Sequence, residues 1–195
     1  MTKKLTRADL LSLETYHEQR VSMRASLMAH KKRRTLALGE HATLYFEDTM
    51  TVQYQIQEML RAEKIFQAEA IQEELDAYNP LIPDGDNLKA TFMLEYEDVD
   101  ERRRALEKLR GIEDRVYLKV GDEERAFAIA DEDLSRENDV KTSAVHFLRF
   151  QLSPEALGLA KAGGALAIGI DHPEYQTEIA PVPEPIRASL VSDFD

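Results

Sequence analysis

Leu88-Lys89-Ala90-Thr91-Phe92-Met93-Leu94-Glu95-Tyr96 decides the fold class. Leu88, Ala90, Phe92, Leu94 and Tyr96 recur at every second position, the period of a strand that buries one face. Asp98 followed by Glu101 makes a capping-box-like start for a helix that ends near Gly111. Val116, Leu118 and Val120 then alternate again, Gly121-Asp122 suits a type II′ turn, and Arg125 to Ile129 supplies a return strand. After an acidic connection from Asp131 to Asp139, Val145 to Leu152 reads as a long strand. Ser153-Pro154 starts a short helix, and Ala165 to Ile170 reads as another strand. Pro181 to Pro185 is an extended lead into a last helix. The succession strand, helix, hairpin, strand, helix, strand predicts an α+β fold, an antiparallel-rich sheet with helices on one face.

Upstream of Leu88 the pattern is mostly helical. Thr6 as N-cap, Asp9 three residues on and a Leu5 to Leu10 staple predict a first helix to about Gln19. Val21, Arg24, Ala25 and Met28 continue or restart it up to Lys31. Leu36, Leu38, Leu44 and Phe46 alternate around Gly39-Glu40-His41, the mark of a short hairpin. From Thr51 to Phe66 the apolar set Val52, Ile56, Met59, Leu60 and Phe66 forms one helical stripe, and Ala68 to Tyr78 a second, ended by Asn79-Pro80. The expectation is therefore an N-terminal helical layer and short hairpin set against the sheet. Residues 1–195 read as a single domain, with Pro83 to Asn87 marking a sub-boundary near residue 85 as the one place the chain could divide.

Composition narrows the chemistry. With 43% hydrophobic and 32% charged residues, the chain has enough apolar material for a core and a wet surface, unlike a disordered sequence. It contains no cysteine, which excludes disulfides, thiolate metal sites and thiol nucleophiles on this chain. A net charge of -12 argues against nucleic-acid binding, which needs an excess of Lys and Arg. The local exception is Arg20 to Arg34, with Arg20, Arg24, Lys31, Lys32, Arg33 and Arg34 and no acidic residue; it could meet a phosphate or an acidic partner, or simply face the acidic connection from Asp131. No apolar run approaches the roughly 20 residues of a membrane span, and the expected location is the cytoplasm.

No phosphate-binding loop, serine elbow, paired zinc histidines or EF-hand loop occurs as a sequence pattern. Glu14 and His17 match half of a di-iron motif with no second copy, so no metal site is established by sequence. Among His17, His30, His41, His146 and His172, His146 is the most informative, because alternation puts it on the apolar face with Ala144, Leu148, Phe150 and Leu152. A core histidine bonded to backbone is the simpler reading; a ligand or base is the alternative. Asp171 to Tyr175 gathers titratable groups on what reads as a loop. On the helix from Thr51, Tyr54, Gln57, Glu58 and Arg61 share a polar face at helical spacing, a plausible cleft lining. Glu63 falls with Val52, Ile56 and Met59, where a carboxylate needs a partner, a cation or a raised pKa. Tyr54, Gln57, Glu58, Arg61, Glu63 and His146 are thus the ligand-binding candidates; the cofactor, if any, is unknown.

Phe46-Glu47-Asp48, Gln55 to Arg61, Glu73 to Pro80, Ala130 to Asp133 and Val145 to Phe150 together resemble a bacterial family described only as a domain of unknown function. The resemblance spans nearly the whole chain. It implies genes neighbouring those for rubrerythrin and a heterodisulfide-reductase-like iron–sulfur protein, hence a setting in peroxide defence or electron transfer, and it assigns no catalytic residue. Two readings stand: a non-catalytic accessory or binding protein whose partner belongs to that redox module, or an enzyme or metal-dependent sensor with a pocket on the Tyr54 to Glu63 helix, joined by His146 or His41.

Overall fold

The computed structural model describes residues 3–132 and 140–195. The chain runs through α1 (Leu13–Lys31), β1 (Thr35–Ala37), β2 (Ala42–Glu47), α2 (Thr49–Ala62), α3 (Ala68–Tyr78), β3 (Asn87–Leu94) and α4 (Val99–Lys108). There follow β4 (Val116–Val120), β5 (Ala126–Phe127), β6 (Ile129–Ala130), β7 (Val145–Gln151), α5 (Pro154–Lys161), β8 (Leu166–His172), β9 (Tyr175–Ile179) and α6 (Glu184–Val191). The fold is α+β and its strand pairs are antiparallel, divided over two sheets in the orders β1-β2-β3-β7-β6 and β5-β4-β8-β9. No described helix is long and apolar enough to cross a membrane.

Period-two patterning builds the main core. Leu44 and Phe46 of β2, Leu88, Ala90, Phe92 and Leu94 of β3, and Leu148 and Phe150 of β7 share it with Val116, Leu118 and Val120 of β4 and Leu166, Ile168 and Ile170 of β8. Leu106 of α4, Ala160 of α5 and Leu190 of α6 join the same cluster. Arg125 to Ile129, expected as one return strand, proves to be two pieces. Gly121, at φ +53°, makes the turn, and Ala126 and Phe127 pair with β4, but Ile129 and Ala130 pair with β7 of the other sheet. This passage links the two sheets along one edge. At the other, the Tyr175 hydroxyl of β9 donates to Leu38 O (2.7 Å) and accepts from His41 N (3.2 Å). It packs so closely on Gly39, at φ +79°, that a Cβ there would sit 2.6 Å from the hydroxyl.

The N-terminal helices carry a second core of Leu5, Val52, Ile56, Leu60, Leu75 and Ile82. They lie over the outer face of the first sheet, where Val52, Tyr78 and Leu81 approach Tyr45, Thr91, Met93 and Phe147. Several sequence expectations are corrected here. Thr6 caps only a single 3-10 turn, Arg7–Asp9; the long helix begins after Ser12, whose Oγ accepts from Thr15 N, and runs unbroken past Gln19 to Lys31. The helix read from Thr51 starts at Thr49, and Asp48 caps it through a reciprocal pair with Thr51. The helix stops at Ala62, so Phe66 falls off the stripe and is 70% exposed. Asp171 to Tyr175, read as a loop, is the tight end of the β8–β9 hairpin, and β9 was not anticipated. Of the acidic connection from Asp131, residues 133–139 lie outside the described residues.

Arg34, between α1 and β1, is 2% exposed. Nε donates to Phe46 O (3.1 Å), one terminal nitrogen to Glu47 O (3.0 Å) and Asp193, and the other to Ser189 O (3.1 Å), with Asp48 Oδ2 3.3 Å from Nε. Burial pushes the Asp193 carboxyl up and the guanidinium opposes it. Arg34→Met should lower the free energy of unfolding by about 3–5 kcal/mol, because it strands buried acceptors and Asp193 together. Asp193→Asn should cost less, since Arg34 keeps Asp48 and three carbonyls; urea titration of both variants checks the ranking.

Candidate functional site

The α2 face flagged by sequence is gathered, and its partner is α1. Helical spacing brings Tyr54, Glu58 and Arg61 to one side, and there Glu58 accepts from the Tyr16 hydroxyl (2.6 Å) and from Arg20 through both carboxylate oxygens (2.7 and 2.8 Å), with Arg61 3.4 Å away. Tyr54 meets Tyr16 edge to face, ring centroids 6.4 Å apart. Gln57 is fully buried, with Oε1 accepting from Leu11 N (2.6 Å) and Nε2 donating to Leu11 O (3.3 Å). Glu63 is the exposed C-cap of α2 and leaves the apolar stripe because the helix ends first. The hydrogen bonds from Arg20 hold the Glu58 carboxyl down to about 2, while burial and the bond to Glu58 push the Tyr16 hydroxyl up.

His146 stands apart from these residues, in the main core. It is fully buried, as alternation along β7 requires. Nδ1 lies 2.6 Å from Asp131 Oδ2; Nε2 lies 3.0 Å from Ser143 O and 2.9 Å from Thr142 Oγ1. Thr142 donates in turn to Glu113 Oε2 (3.0 Å), which is 3.7 Å from Nε2. Both ring nitrogens therefore face oxygen atoms. Asp131 adopts φ +49°, unusual for a residue with a side chain, and is fixed by its N–H to Phe147 O (2.8 Å) and by Phe147 N to its Oδ1 (2.9 Å). Glu113 comes from the 3-10 turn Ile112–Arg115 before β4. Sequence reasoning found His146 by its alternation but missed Glu113, Thr142 and Asp131, which have no local signature.

The other histidines serve local ends. His30 binds Asp48, and His172 accepts from Glu174 N at Nδ1 and donates from Nε2 to Arg110 O. Glu14 and His17 are exposed on α1. His41 stacks on Tyr96 with centroids 4.1 Å apart, in a cleft of about 910 Å³ rimmed by Glu40, Glu95, Glu97 and Glu101. In the basic segment, Arg20 and Arg34 are bound as described, and Arg24, Lys32 and Arg33 are exposed.

A second cleft, of about 860 Å³, opens between α3 with the turn after it and the outer face of β3 and β7. Tyr78, Leu81 and Phe147 form its apolar floor, and charged groups form its rim. Lys4 and Lys89 share Asp84, each at 2.7 Å, and Arg149 grips Glu132 through two bonds of 2.8 Å. Burial pushes the Lys89 ammonium down, and its three protons go to Pro80 O, Ile82 O and Asp84, an arrangement that ties the turn to the sheet. Hydrogen bonding to Arg149 holds the Glu132 carboxyl low.

The profile of a family described as "Protein of unknown function (DUF3501)" matches residues 4–194. The crystal structure of a "novel protein of unknown function" from Burkholderia pseudomallei K96243, at 1.90 Å resolution, is similar at a TM-score of 0.93 and 52% identity, over 99% of this chain and 100% of that one. No curated protein gives a significant match.

Glu58 provides a pH test of the α1–α2 contact. A depressed folded pKa contributes stability above the ordinary carboxylate value of 4.5 that is lost as pH falls toward about 2. Glu58→Gln should therefore melt at a lower temperature than wild type at neutral pH, and the gap should close through that window. Thermal unfolding followed across pH checks it; a pH-independent gap would point to packing alone.

Proposed function

The chain belongs to the DUF3501 family, and we propose that it is a non-catalytic accessory protein that binds a small amphipathic carboxylate in the 860 Å³ cleft. The observation that carries the reading is the composition of that cleft, an apolar floor with a few convergent charges. The Arg149 guanidinium is already in the bidentate geometry that a carboxylate takes, and the residue occupying it, Glu132, is 52% exposed and replaceable by a ligand. On the opposite wall Lys4 and Lys89 share Asp84, so two ammonium groups face the cleft beside the carboxylates of Asp84 and Asp76. The proposal includes a cytoplasmic location and a protein partner in a peroxide-defence or electron-transfer module, rubrerythrin or an iron–sulfur protein. The resemblance supports that setting, and a chain without cysteine leaves any thiolate-ligated electron carrier to the partner. The alternative, an enzyme or metal-dependent sensor, keeps one observation of its own, the groups around His146.

Native mass spectrometry of the whole protein should reveal a retained small molecule, and octanoate should serve as a probe that raises the melting temperature. Ala77→Trp, a change at an exposed α3 position on the cleft wall, should remove both effects without lowering the melting temperature of the ligand-free protein. Equal octanoate responses in wild type and variant would sink the ligand half. Capture from native cells that recovers neither rubrerythrin nor the iron–sulfur protein would sink the partner half.

A further inference from the structure

We propose that Glu113, Thr142, Ser143 O and His146 Nε2 form a site for one divalent first-row transition-metal ion, with Asp131 orienting the histidine from the far side of its ring. The ligand atoms of Glu113, Asp131 and His146 lie within 4.8 Å of one another, and three of the four side chains, Glu113, Thr142 and His146, are at most 5% exposed. On the Nε2 side the separations are 2.9 Å to Thr142 Oγ1, 3.0 Å to Ser143 O and 3.7 Å to Glu113 Oε2, with 3.0 Å between Thr142 Oγ1 and Glu113 Oε2. Ligands about 2.1 Å from a common ion are about 3.0 to 3.6 Å from each other at angles of 90° to 120°, and these four separations, 2.9 to 3.7 Å, come close to that spacing.

Asp131 fits the outer position. A histidine that ligates through one nitrogen commonly gives its other N–H to a carboxylate, which fixes the tautomer and raises the basicity of the ligand atom. Here Asp131 Oδ2 stands 2.6 Å from Nδ1, and its own backbone is fixed in an uncommon conformation by both bonds to Phe147. Three separate parts of the fold, the turn before β4, the approach to β7 and β7 itself, supply the inner atoms, so their spacing is set by packing of the core. An imidazole with carboxylate, hydroxyl and carbonyl oxygens suits Zn(II), Fe(II) or Mn(II), and the missing thiolates disfavour Cu(I). The ion takes the place of the Nε2 proton, which leaves to solvent.

The test is elemental analysis of the full-length protein purified without chelator, followed by titration of stripped protein with Zn(II) and with Co(II) as a visible-absorbing probe. Wild type should bind one ion, with a Co(II) spectrum displaced by Zn(II). Glu113→Gln and His146→Gln should abolish binding, and Asp131→Asn should weaken it about 10- to 100-fold at unchanged stoichiometry. Circular dichroism identifies variants that fail to fold; if His146→Gln is one, Glu113→Gln and Asp131→Asn decide. Wild-type protein that takes up neither ion, or binding that persists unchanged in folded Glu113→Gln, overturns the site. Octanoate binding in the 860 Å³ cleft is independent of this outcome.

Discussion

Burying a guanidinium is tolerable only when its N–H groups find acceptors, and Arg34 imposes that condition on parts of the chain far apart in sequence. The acceptors are the end of β2, the capping aspartate of α2, and Ser189 and Asp193 at the end of α6, up to 159 residues away. Asp48 thereby caps α2, pairs with His30 at the end of α1 and faces Arg34, so the junction of helical layer and first sheet is fixed at one ionic centre. The C-terminal helix is recruited to the same point. Such a network contributes geometry more than net energy, because the desolvation of its charges offsets much of their attraction.

With the sheet held in place, β7 becomes the strand that separates two chemistries. Its inward positions place His146 beside Leu148 and Phe150, and its outward positions place Phe147 and Arg149 in the cleft under α3. A register shift of one residue would exchange the two sets, so the pairing of Phe92 with His146 and Thr91 with Phe147 decides which side chains are buried and which reach the cleft. Asp131 and Glu132 repeat the division one strand away: the first reaches His146, the second Arg149.

The polar face of α2 shows how a binding-like pattern can be internal adhesive. Tyr54, Gln57, Glu58 and Arg61 have the composition of a cleft lining, yet Tyr16, Arg20 and the Leu11 backbone satisfy or cover them. Helix α1 buries only Tyr16 and Leu27, so much of its attachment comes from these polar contacts in place of an apolar stripe. A solvated face and a face glued to a neighbouring helix use the same residue types, and only the presence of the neighbour distinguishes them.

The sequence by itself determined what depends on local periodicity and turn chemistry: the strand at Leu88 to Leu94, the Gly121 turn, the caps at Asp98 and Ser153, the hairpin around Gly39, the α+β class and the burial of His146. Each follows from a steric or hydrogen-bonding rule that acts over a few residues. Tertiary structure alone decided that the strand after Arg125 crosses between sheets, that Glu58 belongs to Arg20, and that Glu113, Asp131 and Thr142 converge on one imidazole. Those outcomes join residues as many as 38 positions apart through packing of whole elements, and no local spacing encodes which distant side chain will supply the missing hydrogen bond.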